Sequence, residues 1–213
     1  FKDAAPEFWN KTFLFPMFCT ESYKRAGECV PLEYTEQEQF VLNHVKTIIT
    51  PSEIEMADFV SNYNIDSNKV KVIYRGINPI FKGICKKHNL NKPQLVYIGS
   101  IKKQKNNIAA LYVLEHLVRK GIDCYLNLIG TIQDQRLYEE LLIFIKDNGL
   151  TDRVRFFFEQ TREQVAQIVQ DSDINLSVSN WETFGRGIFE GMAGGLPTVA
   201  FSHLECVKQY VND

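Results

Sequence analysis

The chain has 213 residues, of which 45% are hydrophobic and 23% are charged, enough apolar material for one or two globular cores. The formal net charge of -2 at pH 7 argues against a duplex-binding protein, which needs a strong basic excess. No apolar run approaches the ~20 residues of a membrane-spanning helix, and Phe1 opens no signal-peptide pattern.

The first third of the chain predicts a small set of elements. Residues 1–34 are rich in aromatic side chains without clear periodicity, which indicates loops and short helices. The patterns that follow predict a helix from Thr35 to about Val45 and a strand in "KTIIT". They then predict a helix from Ser52 to about Tyr63, with Glu55 at capping-box spacing from Ser52, and a strand in "KVKVIY". Gly76 and Pro79 then interrupt regular structure, and we expect a domain crossing there.

Beyond Lys87 the chain alternates regularly between strands and helices. The predicted strands are "QLVYIG", "CYLNLIG", "VRFFF", "INLSV" and "PTVAF", separated by amphipathic helices. Such alternation indicates a Rossmann-like, doubly wound α/β fold, in which helices cover both faces of a parallel sheet. The sequence therefore predicts a domain over residues 79–213 and part of a second α/β domain over residues 1–78.

Two glutamates, Glu182 and Glu190, bracket a glycine-rich run after the strand "INLSV". We expect a helix from Phe184 or Gly185 to about Ala193, so that Glu190 lies two turns into it. Eight residues at 100° each leave the two carboxylates about 80° out of alignment, close enough to face one crevice. Between them, the N–H groups of the first helical turn can bind a phosphate, and carboxylates accept hydrogen bonds from sugar hydroxyls. The expected ligand is a sugar nucleotide.

Two nearby patterns invite other interpretations. "GMAGGLP" looks like a dinucleotide fingerprint, but it lies at the end of a helix, and no GxGxxG follows the first strand "QLVYIG". The run from Asp171 to Asp173 could bind a metal as a DxD motif, but we expect Asp173 only to open the following strand. We therefore predict neither a metal nor a cofactor.

The segment from Glu182 to Glu190 with "GMAGGLPTVA" resembles the E-x7-E signature of retaining, family 4-like glycosyltransferases with the GT-B fold. "VYIGSIKKQKNN" and "IITPSEIEMADFVSNYNIDSNKVKVIYRGINPIF" are similar to further segments of that family, so that the likeness covers about residues 46–211. It implies a donor-binding C-terminal domain, preceded by the end of an acceptor-side N-terminal domain.

The resemblance also implies a role for each matching residue. Glu190 would bind the ribose hydroxyls and Glu182 the donor sugar, as the catalytic carboxylate. The other donor-binding positions that it implies are Gly99, Ser100, Lys105, Phe184, Gly185 and Arg186. Ser100 stands where many members have arginine, and Lys102, Lys103 or Arg186 could supply that charge.

The resemblance implies a metal-independent transferase that moves a sugar from a UDP or GDP donor to a glycan, lipid or protein acceptor, with retention of configuration. A sugar-nucleotide epimerase and a non-catalytic, donor-binding or stabilising subunit of a transferase remain alternatives. Five scattered cysteines without zinc-site spacing indicate reduced thiols in a cytoplasmic protein. We expect membrane association, if any, to be peripheral and to use regions outside this chain, which starts without Met and so resembles part of a longer protein.

Overall fold

The computed structural model describes residues 5–16, 20, 24, 29–83 and 91–210. It divides the chain into two compact units. The first contains Phe1–Gly76, Trp181–Phe184 and Gln209–Asp213, and the second contains Ile77–Asn180 and Gly185–Lys208. The predicted boundary between residues 78 and 79 stays a prediction.

The first unit is built on a three-stranded parallel sheet with the order β1-β2-β3. Its elements are α1 (Pro6–Trp9), β1 (Phe13–Leu14), α2 (Leu32–His44), β2 (Thr47–Thr50), α3 (Glu53–Asn62) and β3 (Val70–Val72). The core includes Trp9, Leu42, Ile48, Phe59 and Val70. The sequence predicts only loops and short helices over residues 1–34, so strand β1 is a correction. A two-residue strand leaves no periodic signal in the sequence, and β1 forms through its pairing with β2.

The second unit contains a five-stranded parallel sheet with the order β6-β5-β4-β7-β8. Its elements are β4 (Gln94–Ile98), α4 (Asn107–Arg119), β5 (Tyr125–Gly130), α5 (Gln135–Asp147), β6 (Val154–Phe158), α6 (Arg162–Asp171), β7 (Ile174–Ser177), α7 (Arg186–Ala193), β8 (Thr198–Ala200) and α8 (Glu205–Tyr210). All five strands that the sequence predicts in this region are present, and all are parallel.

Helices cover both faces of this sheet, because side chains alternate along each strand. In β4, Leu95 and Tyr97 join one apolar cluster with residues of α4 and α5, whereas Val96 joins another with Val165 and Val169 of α6. The structure thus confirms the predicted Rossmann-like α/β fold.

Local signals place most helix ends. Gly121 and Gly149 have φ values of 81° and 64°, the left-handed conformation expected after α4 and α5. Thr161 and Gln164 form a complete capping box at the start of α6. At α3, Ser52 accepts a hydrogen bond from the Glu55 N–H, but Oε2 of the buried Glu55 has no hydrogen-bond partner. Within the described ranges, no helix is long and apolar enough to span a membrane.

Candidate functional site

The strand order creates a topological switch point between β4 and β7. From β4 the chain builds the sheet outward through β5 and β6, and it then returns to the other side of β4 with β7 and β8. In open α/β sheets, ligands bind beyond the carboxyl ends of the strands at such a point. The loops that follow β4 and β7 therefore form the first candidate site.

Hydrogen bonds join these two loops. The Tyr97 hydroxyl donates to the Lys105 carbonyl oxygen at 2.5 Å and lies 3.1 Å from Oγ of Ser179. The backbone N–H of Asn180 donates to the Gln104 carbonyl oxygen at 2.9 Å, and its side-chain amide donates to the Lys103 carbonyl oxygen at 3.2 Å. The backbone that carries Lys105 is therefore held beside the end of β7.

Gly99 and Gly130 allow the backbone to approach closely at the ends of β4 and β5. A Cβ atom at Gly130 would lie 2.3 Å from the Gly99 carbonyl oxygen, which no side chain tolerates. A Cβ atom at Gly99 would lie 3.2 Å from Cδ of Lys105, so the lysine stem passes over the glycine. The structure brings together Gly99 and Lys105, two of the residues expected to bind the donor.

Ser100 lies on the same loop, where its hydroxyl is 3.1 Å from the hydroxyl of Thr131. Lys102 and Lys103 follow within three residues, and Lys103–Lys105 forms a single 3-10 turn. The loop therefore carries several positive charges at the carboxyl edge of the sheet, although an arginine is absent from position 100.

Helix α7 begins at Arg186, with Gly185 as its N-cap residue in the left-handed conformation (φ 77°). A Cβ atom at Gly187 would lie 2.4 Å from the Ile98 carbonyl oxygen, so the first turn of α7 packs directly on the end of β4. The first turn of α7, with the N–H groups that begin a helix, therefore lies at the switch point.

Glu182 lies outside this helix, on the Trp181–Phe184 segment that groups with the first unit. Glu182 thus precedes the helix, as the sequence predicts, and helical periodicity does not fix its direction relative to Glu190. The expectation that both carboxylates face one crevice stays a prediction. Phe184 likewise precedes the N-cap residue. The roles of Glu182 and Phe184 in donor binding stay predictions.

Glu190 lies in the second turn of α7, and the residue as a whole is 5% exposed. Nη1 of Arg162 donates a hydrogen bond of 2.7 Å to its Oε1 atom. Burial raises the pKa of Glu190, whereas the positive charges of Arg162 and Arg186 oppose that rise. The site thus contains a buried carboxylate with a directly bound guanidinium.

Sequence reasoning missed Arg162, which is 28 residues from Glu190 in the chain. One local signal was available, because Arg162 is the first residue of α6 and follows a strand of the same parallel sheet. Its position at the carboxyl edge was predictable, but its choice of partner was not.

The candidate metal motif lies elsewhere. Asp173 precedes β7, and its Oδ2 atom accepts a hydrogen bond from the Gln94 N–H at the beginning of β4. This aspartate therefore lies at the amino edge of the sheet, opposite the switch point, where it accepts the hydrogen bond at the beginning of β4. Among the described residues, no group of three or more His, Cys, Asp or Glu could hold a metal ion.

Comparisons with known proteins identify a family and several similar chains. A family model described as "Glycosyl transferases group 1" matches residues 84–213. A D-inositol 3-phosphate glycosyltransferase of Mycobacteroides abscessus is 25% identical over 172 residues, which cover 76% of this chain but 38% of that protein. The chain therefore spans about two fifths of the length of this curated relative.

Solved structures share the fold at low sequence identity. WaaG, a glycosyltransferase involved in lipopolysaccharide biosynthesis, superposes with a TM-score of 0.73 at 18% identity, over 92% of this chain and 58% of its own. Anabaena HepE in complex with UDP and glucose superposes with a TM-score of 0.67 at 20% identity, over 82% of this chain and 51% of its own.

Proposed function

Because the chain belongs to the glycosyl transferases group 1 family, we propose that the protein transfers a sugar from a nucleoside-diphosphate donor to an acceptor, with retention of configuration and without a metal ion. The observation that carries this proposal is the buried Glu190 carboxylate, in the second turn of a helix whose N-terminus packs on the switch point. A carboxylate suits a ribose diol, and a helix N-terminus suits a diphosphate. One nucleotide can engage both at once.

Each part of the donor then has a residue to bind it. Glu190 accepts hydrogen bonds from the ribose hydroxyls, and the N-terminal turn of α7 with Arg186 binds the diphosphate. Lys105, which passes over Gly99, neutralises part of the diphosphate charge. Glu182 contacts the donor sugar, and the donor phosphate itself assists departure of the leaving group and deprotonation of the acceptor.

The donor is proposed to be a UDP- or GDP-sugar. HepE, which shares the fold, has been solved with UDP-glucose, and this supports a nucleotide sugar as the ligand class. We propose that the acceptor is a glycan, lipid or protein and that the protein is cytoplasmic. Any membrane association is proposed to be peripheral and to use regions outside this chain.

A thermal-shift screen against UDP, GDP and their sugar conjugates tests donor binding. A ligand at ~100 times its dissociation constant adds about 2.7 kcal/mol to the free energy of unfolding, which is a readily measured shift. Stabilisation by a sugar conjugate and its diphosphate, but not by the free sugar, is the expected result. If none of these ligands stabilises the protein, the proposed function is wrong.

Retention of configuration needs a separate measurement. We expect NMR of the first product formed from an α-linked donor to show an α-anomer. A β-anomer would contradict the retaining mechanism while leaving donor binding intact. Interconversion of free sugar nucleotides without an acceptor would instead favour the epimerase.

A further inference from the structure

We propose that Arg162 is a positioning residue, which holds the Glu190 carboxylate in the orientation that accepts hydrogen bonds from the nucleotide ribose. This inference rests on the proposed function, and it names a residue on which recognition of the ribose depends. Arg162 acts through Glu190, and we assign it no contact with the nucleotide.

The contact between the two side chains is short and asymmetric. Nη1 of Arg162 lies 2.7 Å from Oε1 of Glu190, whereas the exposed fractions of the two side chains are 45% and 6%. Most of the carboxylate is thus out of contact with water, and the guanidinium lies at the protein surface. A carboxylate has about four lone-pair sites, so a single N–H bond at Oε1 leaves capacity for a pair of ribose hydroxyls.

Arg162 lies at the start of α6, where its positive charge is unfavourable unless a carboxylate pairs with it. The positive end of the helix dipole is at the N-terminus, where acidic residues are favoured and an arginine is disfavoured. The capping box of Thr161 and Gln164 fixes this helix start, so the arginine side chain projects from a defined point. Pairing with Glu190 compensates the charge and restricts the carboxylate to one orientation.

The charge of Glu190 needs support because burial favours the protonated acid. Burial raises the pKa of Glu190, and Arg162 and Arg186 counteract this effect. Arg162 does so through a hydrogen bond as well as through its charge, whereas Arg186 acts through its charge alone. A protonated carboxyl group has fewer acceptor sites, so loss of Arg162 favours the form with fewer acceptors and also removes the orientation that a diol requires.

If the ion pair between Arg162 and Glu190 has a purely structural role, a different result is expected. In that case, removal of Arg162 lowers stability, and any loss of nucleotide affinity is independent of the ribose hydroxyls. The two possibilities are distinguished by a ligand that lacks those hydroxyls but keeps the base and the diphosphate.

The test compares UDP with 2′,3′-dideoxy-UDP by calorimetry in the wild-type protein and in Arg162→Gln and Arg162→Lys, with GDP and its dideoxy analogue in parallel. We expect the wild-type protein to bind the hydroxylated nucleotide ~10-fold or more tightly than the dideoxy form, since hydrogen bonds to a charged group are strong. Arg162→Gln should reduce this ratio to below ~3-fold with little change for the dideoxy form, and Arg162→Lys should restore part of it.

Arg136→Gln is the matched control, because Arg136 is a highly exposed arginine that pairs with Glu140 on α5. It should leave the ratio unchanged. An unaltered ratio in Arg162→Gln, or equal losses for both nucleotides, would overturn the role of Arg162 while leaving the proposed function standing. If the wild-type protein binds none of the four nucleotides, the proposed function fails and this inference fails with it.

Discussion

Two glutamates, Glu55 and Glu190, are buried in different units and meet different surroundings. Glu190 receives a hydrogen bond from Arg162, whereas Oε2 of Glu55 has no hydrogen-bond partner. Burial raises the pKa of Glu55 to about 7, Asp58 adds to the rise, and Arg75 opposes it. At the residue scale, therefore, one buried carboxylate has a direct cationic partner that opposes the rise of its pKa, and the other takes up a proton near neutral pH.

Removal of the Glu190 carboxylate should weaken nucleotide binding. A charge-assisted hydrogen bond contributes ~1.5–3 kcal/mol, so Glu190→Ala should lower the affinity for UDP or GDP by about 10-fold to 150-fold in calorimetric titrations. Glu205→Ala, which removes an exposed carboxylate on α8 that pairs with Lys208, should leave the affinity unchanged. Equal affinities for wild type and Glu190→Ala would mean that the carboxylate has only a structural role.

Glu55 should make the stability of the first unit depend on pH. With a pKa of about 7 in the folded state and an ordinary value of 4.5, Glu55 binds more protons folded than unfolded between these limits. Its stabilising contribution is complete below about pH 4.5 and is lost as pH rises to about 7, a change of about 3 kcal/mol. Glu55→Gln should remove this loss.

Urea unfolding at pH 5 and pH 8 checks the prediction for Glu55. We expect Glu55→Gln to be more stable than wild type at pH 8 and to differ less at pH 5. The exposed Glu33→Gln on α2 serves as the control and should follow the wild-type profile. A pH profile of Glu55→Gln parallel to that of wild type would contradict the assignment.

At the scale of elements, the packing of α7 on the sheet positions the candidate site. Gly187 packs on the end of β4, and a Cβ atom at Gly191 would lie 2.3 Å from the Asn175 side chain of β7. Asn175 in turn donates hydrogen bonds to the carbonyl oxygens of Gly187 and Ile188. Helix α7 therefore packs closely against β4 and β7, because a larger side chain at Gly187 or Gly191 would separate the helix from the strands.

Gly187→Ala should displace the first turn of α7, because the atom that its Cβ would meet is the backbone oxygen of Ile98, which cannot rotate away. Overpacking of this kind costs ~1–3 kcal/mol, and we also expect a lower affinity for nucleoside diphosphates. Gly76→Ala is the control, since a Cβ atom at Gly76 would have nothing within 4 Å. Denaturation measures the free energy of unfolding of both variants, and titration measures their affinity for nucleoside diphosphates. A Gly187→Ala variant as stable as wild type would contradict the close packing of α7 on β4.

At the scale of the whole molecule, the proposed mechanism uses fixed positive charge in place of a divalent ion. Lys105, Arg186 and the N-terminus of α7 belong to one unit and lie on elements that meet at the switch point. We therefore expect donor binding by the intact protein to depend on the fold of this unit and not on added metal.

Chelation should leave donor binding unchanged. Titration of a UDP- or GDP-sugar should give the same affinity in EDTA and in magnesium, because Lys105, its neighbouring basic residues and the N-terminus of α7 are proposed to neutralise the diphosphate. The order of addition provides the control: EDTA followed by excess magnesium should reproduce the first affinity. If EDTA abolishes binding and magnesium restores it, the metal-free mechanism is wrong.

Local patterns in the sequence were sufficient for most elements of the second unit. The five strands and the ends of α4, α5 and α6 follow from apolar periodicity, left-handed glycines and capping residues, all of which act within a few positions. The same patterns placed Glu190 inside a helix that follows a strand. They also predicted the parallel sheet, because strands that are connected through helices usually run parallel to one another.

Only the tertiary structure decided which residues meet. The pairing of Arg162 with Glu190 joins residues 28 positions apart, and the two-residue strand β1 exists through its contact with β2. The grouping of Glu182 with the first unit likewise depends on contacts distant in sequence. Periodicity and capping report neighbours along the chain, whereas strand order and packing select partners across it, so the candidate site became defined only when β7 returned to lie beside β4.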